Sequence, residues 1–273
     1  MTTTSQLVRP VTDDEVRSFR EDGWVRLEGF VDRSVVGRML EVAKGLLGED
    51  GTRQAYRPGV DVGFSWWNDY NRLALESIEP FNHVSLSQQI GLNAQRFIGR
   101  DVPVRFFSDQ IGVKQPAAAG SKNAPTPVHQ DYPYGHWDRV GNVVFWVALE
   151  DMEPERGVVR FYSGSQREGP LGSRTPGSDE AIDLLAVYPW LEERYLLSPP
   201  VGLKAGDATC HGPLVVHRAP QNTTNSPRWQ YVTQYFPADA QWTGAELPAG
   251  GNRGRLKEPG QLFDHPDWPI VYP

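Results

Sequence analysis

Two histidines and one aspartate in this sequence have the types and spacing of a metal site. His129 and Asp131 lie two residues apart, and His217 follows 88 residues after His129. Two imidazoles and one carboxylate can hold a ferrous ion on one face and leave three coordination positions open. Arg228 stands 11 residues after His217. Its guanidinium can grip the far carboxylate of a keto acid through two parallel hydrogen bonds.

The spacing of His129 and Asp131 matches one face of a β-strand, because side chains at i and i+2 point to the same side. One strand end can therefore present both residues to one ion, although a lone His-x-Asp string also fits an exposed loop. The third ligand must come from elsewhere. The local pattern does not distinguish His217 from His211, since an even number of residues separates them and Gly212-Pro213 interrupts the strand between.

Helices are predicted before strands along the chain. Thr12 and Glu15 form a capping-box pattern at the start of a helix that ends at Gly23. Apolar residues at helical spacing predict a second helix over residues 32–47 and helical structure over 72–98. These elements form a helical N-terminal part over about residues 12–98.

Short strands are predicted for most of the remaining chain, from β-branched and aromatic runs separated by turn-forming residues. Val143–Leu149 is almost continuously apolar, as in a strand buried on both faces. The predicted strands are 24–27, 102–113, 143–149, 157–162, 201–203, 208–216 and 229–236. Loops are predicted at 50–70, 116–127 and 166–180, with one short helix within 181–195.

This order of elements predicts an α+β chain, mainly β, whose C-terminal two thirds form a sandwich or barrel. We expect a single domain over residues 1–273, with a β core over about 102–237 and a tail over 238–273 that wraps the body.

Composition is that of an ordinary soluble globular protein, with 39% hydrophobic and 22% charged residues among 273. A net charge of −7 favours neither nucleic acid nor an anionic membrane as a partner. The N-terminus lacks the pattern of a signal peptide, and no apolar run reaches the ~20 residues of a membrane helix. The single cysteine, Cys210, excludes an intrachain disulfide. A reducing, cytoplasmic location is therefore expected.

The segments around these residues resemble the phytanoyl-CoA dioxygenase family of Fe(II)- and 2-oxoglutarate-dependent oxygenases. The family's His-x-Asp motif, distal histidine and following arginine match His129, Asp131, His217 and Arg228 at their spacings. The resemblance covers about residues 12–240. Further matching segments are Asp22-Gly23-Trp24-Val25, the stretch from Gly157 through Ser163-Gly164-Ser165, Gly206-Asp207 and Gln221-Asn222.

The resemblance implies a double-stranded β-helix, a cupin-like jelly roll with the N-terminal helices packed on one sheet. It selects His217 over His211 as the third iron ligand and gives Arg228 the far carboxylate of 2-oxoglutarate. Lys114 and Trp146 stand near positions that add cofactor contacts, although a solvated lysine and a core tryptophan would fit the same patterns. One departure is Arg218-Ala219-Pro220, where the family often has a small hydroxyl residue that can touch 2-oxoglutarate.

The chemistry implied by the resemblance is oxidation of a C–H bond in a small organic molecule, with Fe(II), 2-oxoglutarate and O2. Hydroxylation is the expected outcome, with desaturation, cyclisation or epimerisation open. Halogenation is disfavoured because Asp131 occupies the position where a halide would bind. Without a basic cluster for coenzyme A, a free small molecule is favoured, and analogy favours natural-product tailoring.

Aromatic residues near the predicted loops are candidate substrate contacts, since such side chains often line pockets for apolar ligands. They are Trp66, Trp67, Tyr132, Tyr134 and Trp137. Two other hypotheses remain: a cupin-like metal-dependent isomerase, which would need no Arg228, and a non-catalytic small-molecule-binding protein on the same fold.

Overall fold

The structure is a computed structural model that describes five stretches of the chain: residues 7–53, 68–117, 124–172, 182–245 and 255–273. Trp66 and Trp67, two of the predicted substrate contacts, lie outside the described residues. Across these five stretches, no helix combines the length and apolar character needed to cross a membrane.

Six helices occur in the described stretches, and the first begins and ends where the sequence predicts. The Thr12 hydroxyl accepts from the Glu15 N–H at 3.1 Å, and the Glu15 carboxylate accepts from the Thr12 N–H at 2.8 Å. The helix stops at Gly23, whose φ of 80° is the left-handed conformation that glycine adopts most easily. The helices are α1 (Asp13–Asp22), α2 (Arg33–Leu47), α3 (Phe81–Ser85), α4 (Gln88–Ile98), α5 (Leu184–Val187) and α6 (Trp190–Arg194).

The helical prediction over 72–98 is only partly correct. Residues 72–80 form turns and irregular backbone, and only the rest of the segment is helical, as two separate helices, α3 and α4. Pro80 has no backbone N–H to donate and disfavours helical backbone at Glu79, so a helix cannot run through this point. The predicted single helix within 181–195 is likewise two, α5 and α6.

In the described stretches, ten strands form two antiparallel sheets. The strands are β1 (Trp24–Leu27), β2 (Asn68–Asn71), β3 (Val104–Lys114), β4 (Thr126–His129), β5 (Val143–Ala148), β6 (Arg160–Phe161), β7 (Ala208–His211), β8 (His217–Ala219), β9 (Arg228–Pro237) and β10 (Ile270–Tyr272). The larger sheet has the order β1-β7-β5-β9-β3-β10, with β2 also paired to β3. The smaller sheet has the order β4-β8-β6. Two antiparallel sheets, with the N-terminal helices packed on the larger one, agree with the predicted jelly roll.

Strand β5 shows how the larger sheet separates the core from the inner face. Phe145 and its alternate neighbours pack with residues of α1, α2 and α4 in the main hydrophobic core. Trp146 points the other way and packs with Met152 and Val232. All six residues of β5 are buried, as predicted for a strand covered on both faces. The alternation therefore directs Trp146 away from the helices.

Several predicted strand bounds are wrong. The predicted strand 208–216 ends at His211, because the Gly212-Pro213 turn breaks the ladder and His217 opens β8 in the other sheet. Residues 201–203 contribute only an isolated bridge between Leu203 and Met152. Strands β2 and β10 were not predicted, and the start of β4 lies within the loop predicted at 116–127. Strand β10 shows that the tail adds a strand beside β3.

A buried carboxyl group lies on β3 among tyrosines. Asp109 is 2% exposed, and its Oδ2 accepts from the Tyr231 hydroxyl at 2.6 Å and the Ala74 N–H at 2.8 Å. Burial raises the pKa of Asp109 to about 6, although these hydrogen bonds oppose the rise. The folded protein therefore retains this proton at pH values where the unfolded chain has lost it.

Asp109 should make the protein less stable as pH rises from about 4 to 6, by on the order of 3 kcal/mol for a shift of this size. Asp109→Asn stays neutral throughout. We expect its free energy of unfolding, relative to wild type, to increase by that amount between pH 4 and pH 7. Urea denaturation of the metal-free proteins measures this difference. The exposed Asp101→Asn variant is the control, and a difference independent of pH for Asp109→Asn would contradict the expectation.

Candidate metal centre

The smaller sheet brings His129, Asp131 and His217 together. In the β4–β8 pairing His129 lies directly opposite His217, and their ring centroids are 4.2 Å apart. Asp131 follows just beyond the end of β4. One ligand atom from each residue can be chosen so that all three lie within 4.8 Å of one another. Asp131 Oδ1 is 3.5 Å from His129 Nε2 and 3.7 Å from His217 Nε2.

Backbone carbonyls orient both imidazoles. Nδ1 of His129 lies 2.8 Å from the Pro127 carbonyl, and Nδ1 of His217 lies 3.1 Å from the Val215 carbonyl. A carbonyl oxygen can only accept, so each neutral ring carries its proton on Nδ1. The Nε2 lone pairs are then free to bind a metal, the arrangement usual for histidine ligands.

The electrostatics suit a divalent cation. Burial and the neighbouring His129 lower the pKa of His217 to about 3, against the opposing charge of Asp131, so this ring is neutral at physiological pH. Burial disfavours ionisation of Asp131, but His217, His129 and His211 hold the pKa of its carboxyl well below its usual range. Neutral imidazole and ionised carboxylate are the forms that coordinate metal.

His211 lies beside the group of three without joining it. Its Nε2 is 3.0 Å from Asp131 Oδ2. The other two histidines lie closest to the other oxygen, Oδ1. His211 comes from β7 in the larger sheet, whereas His217 comes from β8 in the smaller sheet. The structure thus separates two histidines that the residue pattern left equivalent.

Two buried basic side chains lie opposite each other near the end of β8. Lys114 at the end of β3 is the direct partner of Arg228 at the start of β9, and both are 0% exposed. Lys114 Nζ donates to the Pro220 carbonyl at 2.8 Å and the Ala219 carbonyl at 3.1 Å, at and just beyond the end of β8. Lys114 therefore contacts the backbone two and three residues beyond His217 along the chain.

The guanidinium of Arg228 is held on one side only. Nη1 donates to the Gly157 carbonyl, and Cζ lies 5.3 Å from the centre of the Trp146 ring. Nε and Nη2 are buried, and the described residues offer them no hydrogen-bond partner. Burial lowers the pKa of Arg228 to about 9, and burial with the charges of Arg228 and Arg218 lowers that of Lys114 to about 6. Among the described residues, no acidic group pairs with either of these basic side chains.

Gly157 permits this arrangement. Its φ is 77°, and a Cβ there would lie 2.4 Å from the Pro220 carbonyl oxygen. The carbonyls of Gly157 and Pro220 bind Arg228 and Lys114, so only a residue without a side chain lets the two segments approach this closely. The sequence analysis noted Gly157 as part of a motif without assigning it this role.

The predicted substrate residues lie in different surroundings. Tyr132 and Tyr134 are half-buried in a single 3-10 turn directly after Asp131, and the Tyr132 N–H donates to the Pro213 carbonyl at 2.9 Å. Trp137 is 3% exposed and stacks on Phe236, with ring centroids 5.4 Å apart. It belongs to a hydrophobic cluster formed largely by the C-terminal tail, which accounts for its burial without a substrate.

Gln130 is a site residue that the sequence analysis missed. It is 1% exposed; its amide nitrogen donates to the carbonyls of Leu214 (2.6 Å) and Gly169 (2.9 Å), and its oxygen accepts from the Leu171 N–H (2.8 Å). Gln130 therefore ties the ligand segment to two loops. The sequence offered one indication of this role. Gln130 lies between His129 and Asp131, which share a side, so its own side chain is expected to point the opposite way.

Comparison with known proteins agrees with this geometry. The sequence profile of the phytanoyl-CoA dioxygenase family (PhyH) matches residues 19–229. Phytanoyl-CoA dioxygenase domain-containing protein 1 of Bos taurus is 33% identical over 170 residues, which are 60% of this chain and 56% of the bovine protein. The Danio rerio protein of the same name is 34% identical over 164 residues, 58% of this chain and 54% of its own. The match thus spans little more than half of these curated relatives.

Solved structures share the fold over nearly the whole chain. The non-heme alpha-ketoglutarate-dependent carbocyclase SnoK from nogalamycin biosynthesis superimposes with a TM-score of 0.76 at 24% identity, covering 96% of each chain. The epimerase SnoN, in complex with Fe3+, alpha-ketoglutarate and nogalamycin RO, gives 0.73 at 23% identity, covering 95% of this chain and 98% of its own. EctD from S. alaskensis with bound Fe gives 0.69 at 16% identity, covering 95% and 92%.

Proposed function

Because this chain belongs to the phytanoyl-CoA dioxygenase family, we propose that it is an Fe(II)- and 2-oxoglutarate-dependent oxygenase acting on a small organic molecule. The observation that carries the proposal is the combination of a His-Asp-His cluster with a buried arginine that lacks an anionic partner among the described residues. A metal site alone would also fit a cupin-like isomerase. Such an enzyme would not require the buried arginine, so the arginine favours the oxygenase.

The residues fit Fe(II). His129, Asp131 and His217 would occupy three positions on one face of the ion, with the imidazole tautomers already fixed by carbonyls. Two neutral ligands and one carboxylate leave the ion with a net charge near +1, which favours an anionic co-substrate.

The residues also fit 2-oxoglutarate. Arg228 would pair its free Nε–H and Nη2–H with the far carboxylate of the co-substrate, in the parallel two-bond geometry that guanidinium favours. Lys114 would add a second donor to the same carboxylate, and the anion would restore the proton that burial beside Arg228 removes. Trp146 would form a wall of the pocket beneath the guanidinium.

When bound, iron with 2-oxoglutarate and O2 would supply the oxidising chemistry, in which 2-oxoglutarate becomes succinate and CO2 and a substrate C–H bond is oxidised. The protein's task is to orient the substrate and exclude competing reactions. Tyr132 and Tyr134, half-buried directly after Asp131, would contact the substrate on the open side.

Hydroxylation is the outcome we propose first, with cyclisation, desaturation and epimerisation as alternatives for the same site. The relatives include a carbocyclase and an epimerase from nogalamycin biosynthesis, which favours a role in natural-product tailoring for this chain as well.

The direct test is anaerobic reconstitution of the protein with Fe(II) and 2-oxoglutarate. We expect a visible charge-transfer absorption that requires both components, followed by slow formation of succinate when O2 is admitted without substrate. Candidate substrates should accelerate that formation. Iron binding without any 2-oxoglutarate-dependent absorption or succinate would contradict the proposal.

A further inference from the structure

His211 and the metal ligands divide the two oxygens of Asp131 between them. Oδ1 is the oxygen nearest the Nε2 atoms of His129 and His217, at 3.5 and 3.7 Å. Oδ2 instead lies 3.0 Å from His211 Nε2, within hydrogen-bonding distance. His211 is 3% exposed, so water has little access to compete for this contact.

The direction of this hydrogen bond follows from chemistry. An ionised carboxylate can only accept, so His211 Nε2 must carry the proton and donate it to Oδ2. His211 Nδ1 has no hydrogen-bond partner among the described residues, a position that suits a lone pair better than a second N–H. An unpaired acceptor is a smaller penalty than an unpaired buried donor.

The larger sheet fixes the position of the donor. His211 lies between Trp24 of β1 and Val144 of β5, with backbone pairing on both sides. Its ring also contacts the rings of Phe161 and His217, at centroid distances of 5.2 and 4.7 Å. A donor held by two neighbouring strands and two rings has little freedom to follow Asp131 if that carboxylate rotates.

We propose that His211 is a positioning residue that restricts Asp131 to binding the metal through Oδ1 alone. This inference rests on the proposed function. Three ligand atoms leave three positions of an octahedral ion, which 2-oxoglutarate, binding through two atoms, and O2 together require. If Asp131 bound through both oxygens, it would occupy one of those positions. Because His211 on the larger sheet binds Oδ2 by a hydrogen bond, this oxygen stays off the metal and the third position remains open.

Two substitutions separate the hydrogen bond from simple packing. His211→Gln keeps an N–H donor at about the distance of His Nε2, whereas His211→Leu fills similar space without a donor. We expect His211→Leu to weaken Fe(II) binding about 10- to 100-fold, the usual cost of losing an outer-shell partner. His211→Gln should bind Fe(II) within a few-fold of wild type.

Spectroscopy provides a readout that loss of packing alone would not move. In His211→Leu, Asp131 Oδ2 would compete with the co-substrate for a coordination position. We expect His211→Leu to show a reduced 2-oxoglutarate-dependent absorption band at saturating Fe(II), and His211→Gln to restore it. Thermal unfolding of the metal-free proteins verifies that each variant is folded.

The outcomes are distinguishable. Equal Fe(II) affinities and equal spectra for wild type, His211→Leu and His211→Gln would overturn the inference and leave the proposed function intact. Equal losses in both variants would also overturn it, because the donor would then not be what matters. Failure of the wild-type protein itself to bind Fe(II) and 2-oxoglutarate would overturn the proposed function, and this inference with it.

Discussion

Replacing Arg228 with methionine should weaken 2-oxoglutarate binding by about 30- to 3,000-fold, the range expected when one partner of a buried charge pair is lost. Arg228 is 0% exposed, and two of its donor atoms have no partner among the described residues. Methionine has a similar length and no charge, so it also removes the cost of burying the guanidinium. Fe(II) affinity should change only a few-fold, since Arg228 is not among the clustered ligands. Anaerobic titration of the Fe(II)-loaded protein with 2-oxoglutarate measures this effect.

A matched control lies on β3. Arg105 is another buried arginine, 8% exposed, at the opposite end of that strand from Lys114, where it donates to the Trp268 carbonyl at 2.8 Å. Arg105→Met should lower stability without changing 2-oxoglutarate affinity. If Arg228→Met left the activity of the protein intact, the result would favour the cupin-like isomerase hypothesis, which needs no Arg228, over the oxygenase proposal.

Replacing Asp131 with asparagine should lower Fe(II) affinity by at least about 100-fold, beyond the upper end of what outer-shell changes cost. Asparagine preserves size and an oxygen at the ligand position but removes the only negative charge of the cluster. Oxidation activity should be lost with the metal. The metal-free variant should remain folded, because the neutral amide is cheaper to bury than the carboxylate. Anaerobic calorimetry with Fe(II) and metal analysis of the purified protein measure these effects.

The control for this change is Asp138→Asn, which removes a carboxylate that pairs with Arg139 near the surface, where its side chain is 33% exposed. Iron content and affinity should match those of wild type. Stoichiometric, tight Fe(II) binding by Asp131→Asn would mean that the His-Asp-His cluster is not the metal site.

Much of the site followed from local rules of the sequence. The two-residue repeat of a strand predicted that His129 and Asp131 share a side, although Asp131 lies just beyond the end of β4. The continuous apolar run predicted that Val143–Leu149 is buried on both faces. The capping box of Thr12 and Glu15 located the first helix. Spacing and resemblance together predicted a cofactor-binding role for Arg228. In the structure, Lys114 lies directly opposite it and Trp146 lies beneath its guanidinium.

Other features of the site could not be predicted from the local sequence pattern. The roles of His211 and His217 depended on the break at Gly212-Pro213, which sends one histidine to each sheet. Trp137, predicted as a substrate contact, is buried against Phe236 in the cluster built by the C-terminal tail. The partners of these side chains come from segments distant in sequence.

The sequence by itself determined the candidate ligand types and their spacing along the chain, because these depend only on the chemistry and order of the residues. Only the tertiary structure decided which histidine meets Asp131 Oδ1 and which holds Oδ2, and that Arg228 faces Lys114 without a carboxylate between them among the described residues. The physical reason is that the sheet a strand joins, and its register there, are set by hydrogen bonds and packing between segments far apart in the chain.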